Sequence, residues 1–210
     1  MKNSIKYLSI LAIFVTCFMN AQENNMQKAI EKGKSDLTEL LIKAGDNFNF
    51  GVKVSDVKKS EGKTGVPYKE IDFNKLLDYD GQELEQLLSS VQKFVVPLTI
   101  DNQVVTTISI TQKEKGTYKP TELINQNYQN NLNLLPSEAS ENNFKDLVII
   151  YVPNLNTLVY SAGDKVYTSY NNHSLSQGIE AKVLLQKLKA DAKEFQEKYG
   201  ELIKKGKLVN

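Results

Sequence analysis

The chain has 210 residues, with 26 basic and 25 acidic side chains and a formal net charge of +1. Because this near-neutral balance is spread along the chain, it gives no electrostatic reason to expect a nucleic-acid partner. One cysteine and one histidine leave little for a metal centre, since stable zinc and copper sites generally use three or four nitrogen or sulfur ligands. We therefore expect no metal and no cofactor.

The N-terminal residues predict a secretory signal peptide over 1–21. Lys2 and Lys6 precede an apolar run from Tyr7 to Met19, which is shorter than the ~20 residues needed to span a bilayer. Ala21 supplies the small residue expected just before a cleavage site. We expect a periplasmic or secreted protein that keeps no integral membrane segment after cleavage.

Cys17 offers the alternative localisation, a lipoprotein anchored through an acylated cysteine. Lipoprotein signals usually carry a small residue just before the cysteine and Leu three residues before it, where this chain has Thr16 and Phe14. Cleavage after Ala21 removes Cys17, so the mature chain would contain no disulfide and would depend on packing for its stability.

The first half of the chain predicts a helix, a strand and a hairpin. Apolar residues at helical spacing indicate a helix over 26–44 that ends at Gly45. The alternating segment 47–55 predicts a half-buried strand, and the polar segment 56–67 predicts a surface loop. A short extended segment near Tyr68 and a helix capped by Asp80 follow.

A β-hairpin is predicted over 94–110. The pair Asp101-Asn102 is typical of a two-residue turn. Side-chain alternation instead favours a three-residue loop over 101–103 that pairs Ile100 with Val104, and we follow the alternation because a one-residue slip turns every side chain over.

The second half predicts a meander between two helices. A polar helix over 121–134 ends before Pro136, and a long amphipathic helix closes the chain over 178–205. Between them lie three predicted strands, at 146–152, 156–161 and 165–170. This order predicts one α+β domain over 22–210, with an antiparallel sheet of about five to six strands and helices packed on one face.

Two motif fragments are incomplete. Gly62–Thr64 resembles the end of a phosphate-binding loop, but Val57 stands where that loop needs glycine. Asp78–Gly81 resembles part of a calcium loop, but Leu76 and Leu87 stand at its first and last ligand positions. We expect neither nucleotide nor calcium at these segments.

His173 lies in a polar loop close to several serines. Ser161, Ser169 and Ser174 are near it in sequence, but no Gly-x-Ser-x-Gly elbow accompanies them. We therefore expect no serine nucleophile. Hydrolysis by a pair of carboxylates stays open, because sequence does not give the distances between the 25 acids.

The densest chemical feature is a group of tyrosines on the three predicted strands. Tyr151, Tyr160, Tyr167 and Tyr170 fall within twenty residues. They pack against one another across the sheet, or they form an exposed platform for a glycan, a peptide or a partner protein. Alternation along a regular strand predicts that Tyr167 is exposed and Tyr170 buried. The candidate ligand- or partner-binding residues are Tyr151, Tyr160, Tyr167 and His173.

These observations favour an exported, non-enzymatic envelope protein that binds a protein or another envelope ligand. The alternative is a carboxylate-based hydrolase acting on envelope polymers. A cleft with two acids, one of them with a strongly raised pKa, favours the enzyme. Exposed aromatic residues on a sheet face favour the binding module.

The fate of the N-terminus is directly measurable. We expect the intact mass of the exported protein to correspond to a chain that begins at Gln22 and carries no lipid. A mass that corresponds to a diacylated Cys17 terminus would contradict both the predicted cleavage site and the predicted localisation.

Overall fold

The computed structural model describes residues 24–45, 48–62, 65–114 and 116–204. Eight strands are present in this part of the chain, more than the five to six expected: β1 (Val66–Glu70), β2 (Lys93–Ile100), β3 (Gln103–Glu114), β4 (Thr117–Glu122), β5 (Leu147–Val152), β6 (Thr157–Ala162), β7 (Lys165–Tyr167) and β8 (Ile179–Glu180). Their order in the sheet is β4-β3-β2-β1-β5-β6-β7-β8. β1 and β5 are parallel, whereas β1–β2, β3–β4, β5–β6, β6–β7 and β7–β8 are antiparallel. The predicted α+β class with a mainly antiparallel sheet is confirmed.

Six α-helices accompany the sheet in the described ranges: α1 (24–44), α2 (Val54–Lys59), α3 (Phe73–Leu77), α4 (Gln126–Leu134), α5 (Ser137–Phe144) and α6 (Ala181–Lys204). The long C-terminal helix is therefore confirmed. Across these ranges, none of the helices combines the length and the apolar character needed to cross a bilayer. The predicted signal peptide and Cys17 lie outside the described residues.

The described residues form two compact units. Unit 1 contains the residues up to Gly62 together with Val96–Gln126, and unit 2 contains those from Gly65 to Val95 and from Asn127 onward. The single domain over 22–210 stays a prediction.

The core of unit 1 joins α1 to the β-hairpin. Ile30 and Leu37 of α1 are buried in one cluster with Leu98 and Ile108. A Cβ added at Gly33 would lie 2.8 Å from Ile108 Cδ1. Gly33 therefore lets α1 pack closely against Ile108 of β3. This packing offsets the low helix propensity of glycine.

The strand predicted over 47–55 is wrong. Gly51 has a φ of +72° and forms a bend, so the alternating run is broken at its centre. Phe48 is 67% exposed, and Val54 opens α2. Phe50 and Val52 lie in irregular backbone and Val54 lies in α2, but all three side chains pack on the core of unit 1. Their spacing in the sequence is therefore the same as that of a strand, although no strand forms.

The surface loop predicted over 56–67 is also largely wrong. α2 occupies its beginning and buries Val57, while β1 begins at Val66. Gly62 is buried, and a Cβ there would lie 2.8 Å from Leu98 Cδ2 and 3.0 Å from Ile30 Cγ2. This glycine serves core packing.

The hairpin has the two-residue turn that its dipeptide indicated, so the predicted three-residue loop is wrong. Asp101 and Asn102 have φ values of 47° and 63°, as a type I′ turn requires, and β3 begins directly after them. Val105 and Ile108 both pack in the unit 1 core although they are three residues apart. Burial along β3 does not alternate, since Thr106 to Ile110 are all buried, so alternation is a poor guide to the register of this hairpin.

In unit 2, helices cover both faces of the sheet. Ile150 and Val159 are direct partners, and both pack with Leu188 of α6. Their neighbours Ile149 and Tyr160 point the opposite way, toward α4, where Asn131 donates a hydrogen bond to the Tyr160 hydroxyl at 3.0 Å. The prediction of helices on one face is wrong for this unit, because β5 and β6 carry apolar side chains on both faces.

One predicted helix is wrong and another begins later than predicted. The segment predicted as a helix capped by Asp80 forms only a short 3₁₀ helix, Leu84–Leu87, whose N-cap residue is Glu83. α3 lies before it and is capped by Asp72, which accepts hydrogen bonds from the first-turn N–H groups of α3. The helix predicted over 121–134 begins at Gln126, because β4 extends to Glu122. Pro136 ends it as expected and then serves as the N-cap residue of α5.

Thr106 generates a stability prediction. It is fully buried, and its hydroxyl has no hydrogen-bond partner among the described residues. Because valine has a similar shape without the unsatisfied group, Thr106→Val should raise the free energy of unfolding by about 1 kcal/mol. The measurement is urea denaturation. Thr107→Val is the matched control, since Thr107 Oγ1 donates to the Asn125 carbonyl at 3.3 Å, and it should bring no gain. A destabilised Thr106→Val variant would contradict the prediction.

Candidate functional site

Tyr160 and Tyr167 lie directly opposite each other on β6 and β7, and both are buried, at 0% and 2% exposure. Burial raises the pKa of Tyr160 to about 12, with the hydrogen bond from Asn131 acting in the opposite direction. Burial also raises the pKa of Tyr167, and the nearby carboxylates of Glu138 and Asp164 add to this shift. The prediction that Tyr167 is exposed is therefore wrong, because α5 covers the sheet face that was predicted to be exposed to solvent.

Tyr170 lies beyond the end of β7, in a single 3₁₀ turn, so the strand predicted to reach it is too long. It is half-buried, and its hydroxyl donates to Asp191 Oδ2 at 2.6 Å. Lys187 Nζ donates to Asp191 Oδ1 at 2.5 Å. Burial raises the pKa of Tyr170, and the bond to Asp191 raises it further. Tyr170 therefore fastens this turn to α6.

His173 is half-buried directly after this turn, and its backbone N–H donates to the Tyr170 carbonyl at 3.2 Å. The hydroxyls of Ser174 and Ser176 are 2.7 Å apart and hydrogen-bond to each other. The geometry of the loop is thus accounted for by local hydrogen bonds, and a binding role for His173 stays a prediction.

Lys63 and Thr64 of the phosphate-loop fragment lie outside the described residues, so the structure describes only the calcium-like fragment. Leu76 and Leu87, at the ligand positions of the calcium-like segment, are buried in the core of unit 2. Across the described ranges, no three His, Cys, Asp or Glu side chains are grouped so as to hold a metal ion.

Tyr151 belongs to a row of side chains, called here the tyrosine row: Tyr151, Tyr68, Lys93 and Tyr128. The rings of Tyr151 and Tyr68 are stacked, with centroids 6.5 Å apart and planes inclined by 20°. Lys93 Nζ lies 5.0 Å from the Tyr68 ring centroid and 5.4 Å from that of Tyr128. Both distances are within the range of cation–π attraction.

Strand register builds this row. Tyr68 is the direct partner of Lys93 across the antiparallel β1–β2 pair, and of Ile149 across the parallel β1–β5 pair. Tyr151 is two residues beyond Ile149, so its side chain points to the same face of the sheet as Tyr68. α4 supplies Tyr128 from above that face.

The row combines buried support with accessible rings. Tyr128 is buried, whereas Tyr68, Tyr151 and Lys93 are half-buried. The Tyr151 hydroxyl donates to Asn156 Oδ1 at 3.3 Å. Such a surface offers a ligand flat apolar rings, hydroxyl groups for hydrogen bonds and one positive charge next to aromatic faces. These are features of ligand-binding surfaces.

Sequence reasoning found Tyr151 but missed the other three members of the row. The segment around Tyr68 was predicted to be extended, which was the available signal. No family model, curated protein or solved structure matches the chain significantly. The candidate site therefore rests on the geometry of the chain itself.

The Tyr170–Asp191–Lys187 contact generates a pH prediction. Burial alone would raise the pKa of Asp191, but the hydrogen bonds from Lys187 and Tyr170 outweigh it, so this pKa is lowered. A lowered folded-state pKa gives stability that is present above the unfolded value, near 3.8, and is lost as the pH falls through the folded value. Asp191→Asn should therefore cost about 1–2 kcal/mol at pH 7.

The measurement is urea unfolding at pH 7 and below pH 3, where the difference between the two proteins should shrink. Asp36→Asn is the matched control, because Asp36 forms the same i,i+4 pair with Lys32 on a more exposed surface. It should change stability by less than about 0.5 kcal/mol at either pH. An Asp191→Asn penalty that stays constant with pH would contradict the prediction.

Proposed function

We propose that this chain is an exported, non-enzymatic module that binds a protein or another envelope ligand through the tyrosine row. The observation that carries the proposal is the stack of Tyr68 and Tyr151, two half-buried rings on one face of the sheet. Tyrosine is enriched in interface cores because it brings a large apolar area and a hydroxyl together.

The side chains of the row already contact one another in the absence of a ligand. Tyr68 is held on one side by Tyr151 and on the other by Lys93, which also contacts Tyr128. Immobilising a side chain on binding costs about 0.5–1.5 kcal/mol. Rings that are already fixed avoid part of this cost, so the arrangement supports binding better than separate surface tyrosines would.

The hydrolase alternative gains no specific support from the described residues. An acid catalyst in a carboxylate pair needs a raised pKa. Asp191, a carboxylate that hydrogen bonds clearly perturb, has its pKa lowered, and both of its oxygens are engaged by Lys187 and Tyr170. Its geometry is that of a structural contact.

The proposed location is the periplasm or the extracellular space, with anchoring through Cys17 as the alternative. This part of the proposal rests on the basic start and the apolar run of residues 1–21. It is independent of the tyrosine row, whose binding role applies in either location.

Site-specific photocrosslinking tests the proposal. Benzoylphenylalanine is placed at position 151, and at position 199 as the matched control. Tyr199 is also a half-buried tyrosine in contact with another ring, since its ring centroid lies 5.1 Å from that of Phe195. Irradiation of cells that make the protein should give a discrete adduct from position 151 and none from position 199. Its mass identifies the ligand.

Alanine substitution then measures the contribution of the ring. Tyr151→Ala should weaken binding of the crosslinked ligand at least tenfold, which is typical of an aromatic hot spot, while Tyr199→Ala should leave binding unchanged. Equal adducts from both positions, or equal affinities of both alanine variants, would rule out the tyrosine row as the binding surface.

A further inference from the structure

Unit 1 carries an apolar surface around the bend at Gly51. Phe48 is 67% exposed and Ile42 is 58% exposed, although both are large apolar side chains. They border a hollow of about 470 Å³, called here the apolar hollow. Its apolar lining consists of Leu41, Ile42, Phe48, Phe50, Val52 and Val54.

Phe48 and Phe50 differ in burial although they are two residues apart. Phe50 packs on the core of unit 1, whereas Phe48 stays outside it. The two rings remain in contact, with centroids 6.1 Å apart. An exposed phenylalanine supported by a packed one forms an apolar projection beside the hollow.

A charged groove of about 480 Å³ adjoins this surface, and Ile42 lines both concavities. Among the described residues, the lining of the two concavities contains four lysines and two glutamates: Lys34, Lys43, Lys53, Lys58, Glu31 and Glu39. Lys43 Nζ lies 2.5 Å from Glu39 Oε1, so this pair is locally neutral. Lys34 Nζ donates to the Ser60 carbonyl at 2.5 Å. Within the described lining, exposed apolar side chains therefore lie beside more lysines than glutamates.

We propose that this surface docks onto an anionic lipid bilayer. Phe48 and Ile42 enter the boundary between the headgroups and the acyl chains, and Lys53 and Lys58 contact lipid phosphates. Apolar side chains next to lysines are the pattern of interfacial membrane binding, since a bilayer offers apolar material beneath a negatively charged plane.

The lysines distinguish this occupant from a protein partner. Protein–protein interfaces are depleted in lysine, whereas each lysine near an anionic membrane strengthens binding by roughly fivefold. The proposed docking is independent of the tyrosine row, because the residues that carry it belong to unit 1. It requires only an anionic membrane surface.

The chain contains no tryptophan, which makes a single reporter possible. Phe48→Trp is mixed with vesicles of phosphatidylcholine alone, or of equal parts phosphatidylcholine and phosphatidylglycerol. Its emission should shift to shorter wavelength with the anionic vesicles only, and high salt should reverse the shift. Val183→Trp is the matched control, because Val183 is also a strongly exposed apolar side chain, on α6, and its emission should not shift.

Cosedimentation with the same vesicles gives the second readout. Phe48→Ser should weaken binding to anionic vesicles about tenfold, Lys58→Ser about fivefold, and Val183→Ser should leave it unchanged. Absence of binding to anionic vesicles, or equal binding by the Phe48→Ser and Val183→Ser variants, would overturn the proposal. Capture of a protein that depends on Phe48, without vesicle binding, would assign the surface to a protein partner.

Discussion

The parallel pairing of β1 with β5 is the constraint on which unit 2 and its site depend. β1 pairs with β2 on one edge and with β5 on the other, although Tyr68 and Ile149 are roughly 80 residues apart along the chain. This pairing sets Tyr68 beside Tyr151. A slip of one residue in β1 would turn Tyr68 toward the α6 side of the sheet and would separate the stacked rings.

The tyrosines of unit 2 divide into two groups with different surroundings. Tyr160 and Tyr167 are buried beneath α4 and α5, where their raised pKa values reflect burial. Tyr68 and Tyr151 lie on the same face where the helices cover it less completely, and both are half-buried. All four residues are tyrosines. Those that the helices cover serve in packing, and those that the helices leave half-buried are able to contact a ligand.

The elements that the sequence predicted well are those with long, uninterrupted periodicity or with local turns. α1, α6 and the strands β5 and β6 belong to this class, whereas β7 ends three residues earlier than predicted. The errors fall where tertiary packing imitates or interrupts a pattern. Apolar residues alternate over 47–55 because residues from a bend and from the start of α2 pack on the same core. In β3, Thr106 to Ile110 are all buried, so burial does not alternate there.

The tyrosine row was predictable only in part, for a related reason. Tyr151 was visible because it lies in a dense local cluster. Tyr68, Lys93 and Tyr128 reach it through a strand pairing and a helix placement that span long stretches of chain. Local periodicity carries no information about such pairings, and the burial of Tyr167 depends in the same way on where α5 packs.

The position of β1 also shapes how the protein reaches its folded state. β1 and β2 are made early, but β1 lacks its second neighbour until β5 has been synthesised, roughly 80 residues later. The entropy of closing that loop must be overcome before the parallel contacts form, which slows folding. During this interval the unpaired edge of a central strand is open to pairing with other chains. The speed of assembly, rather than final stability, thus sets the aggregation risk of the nascent chain.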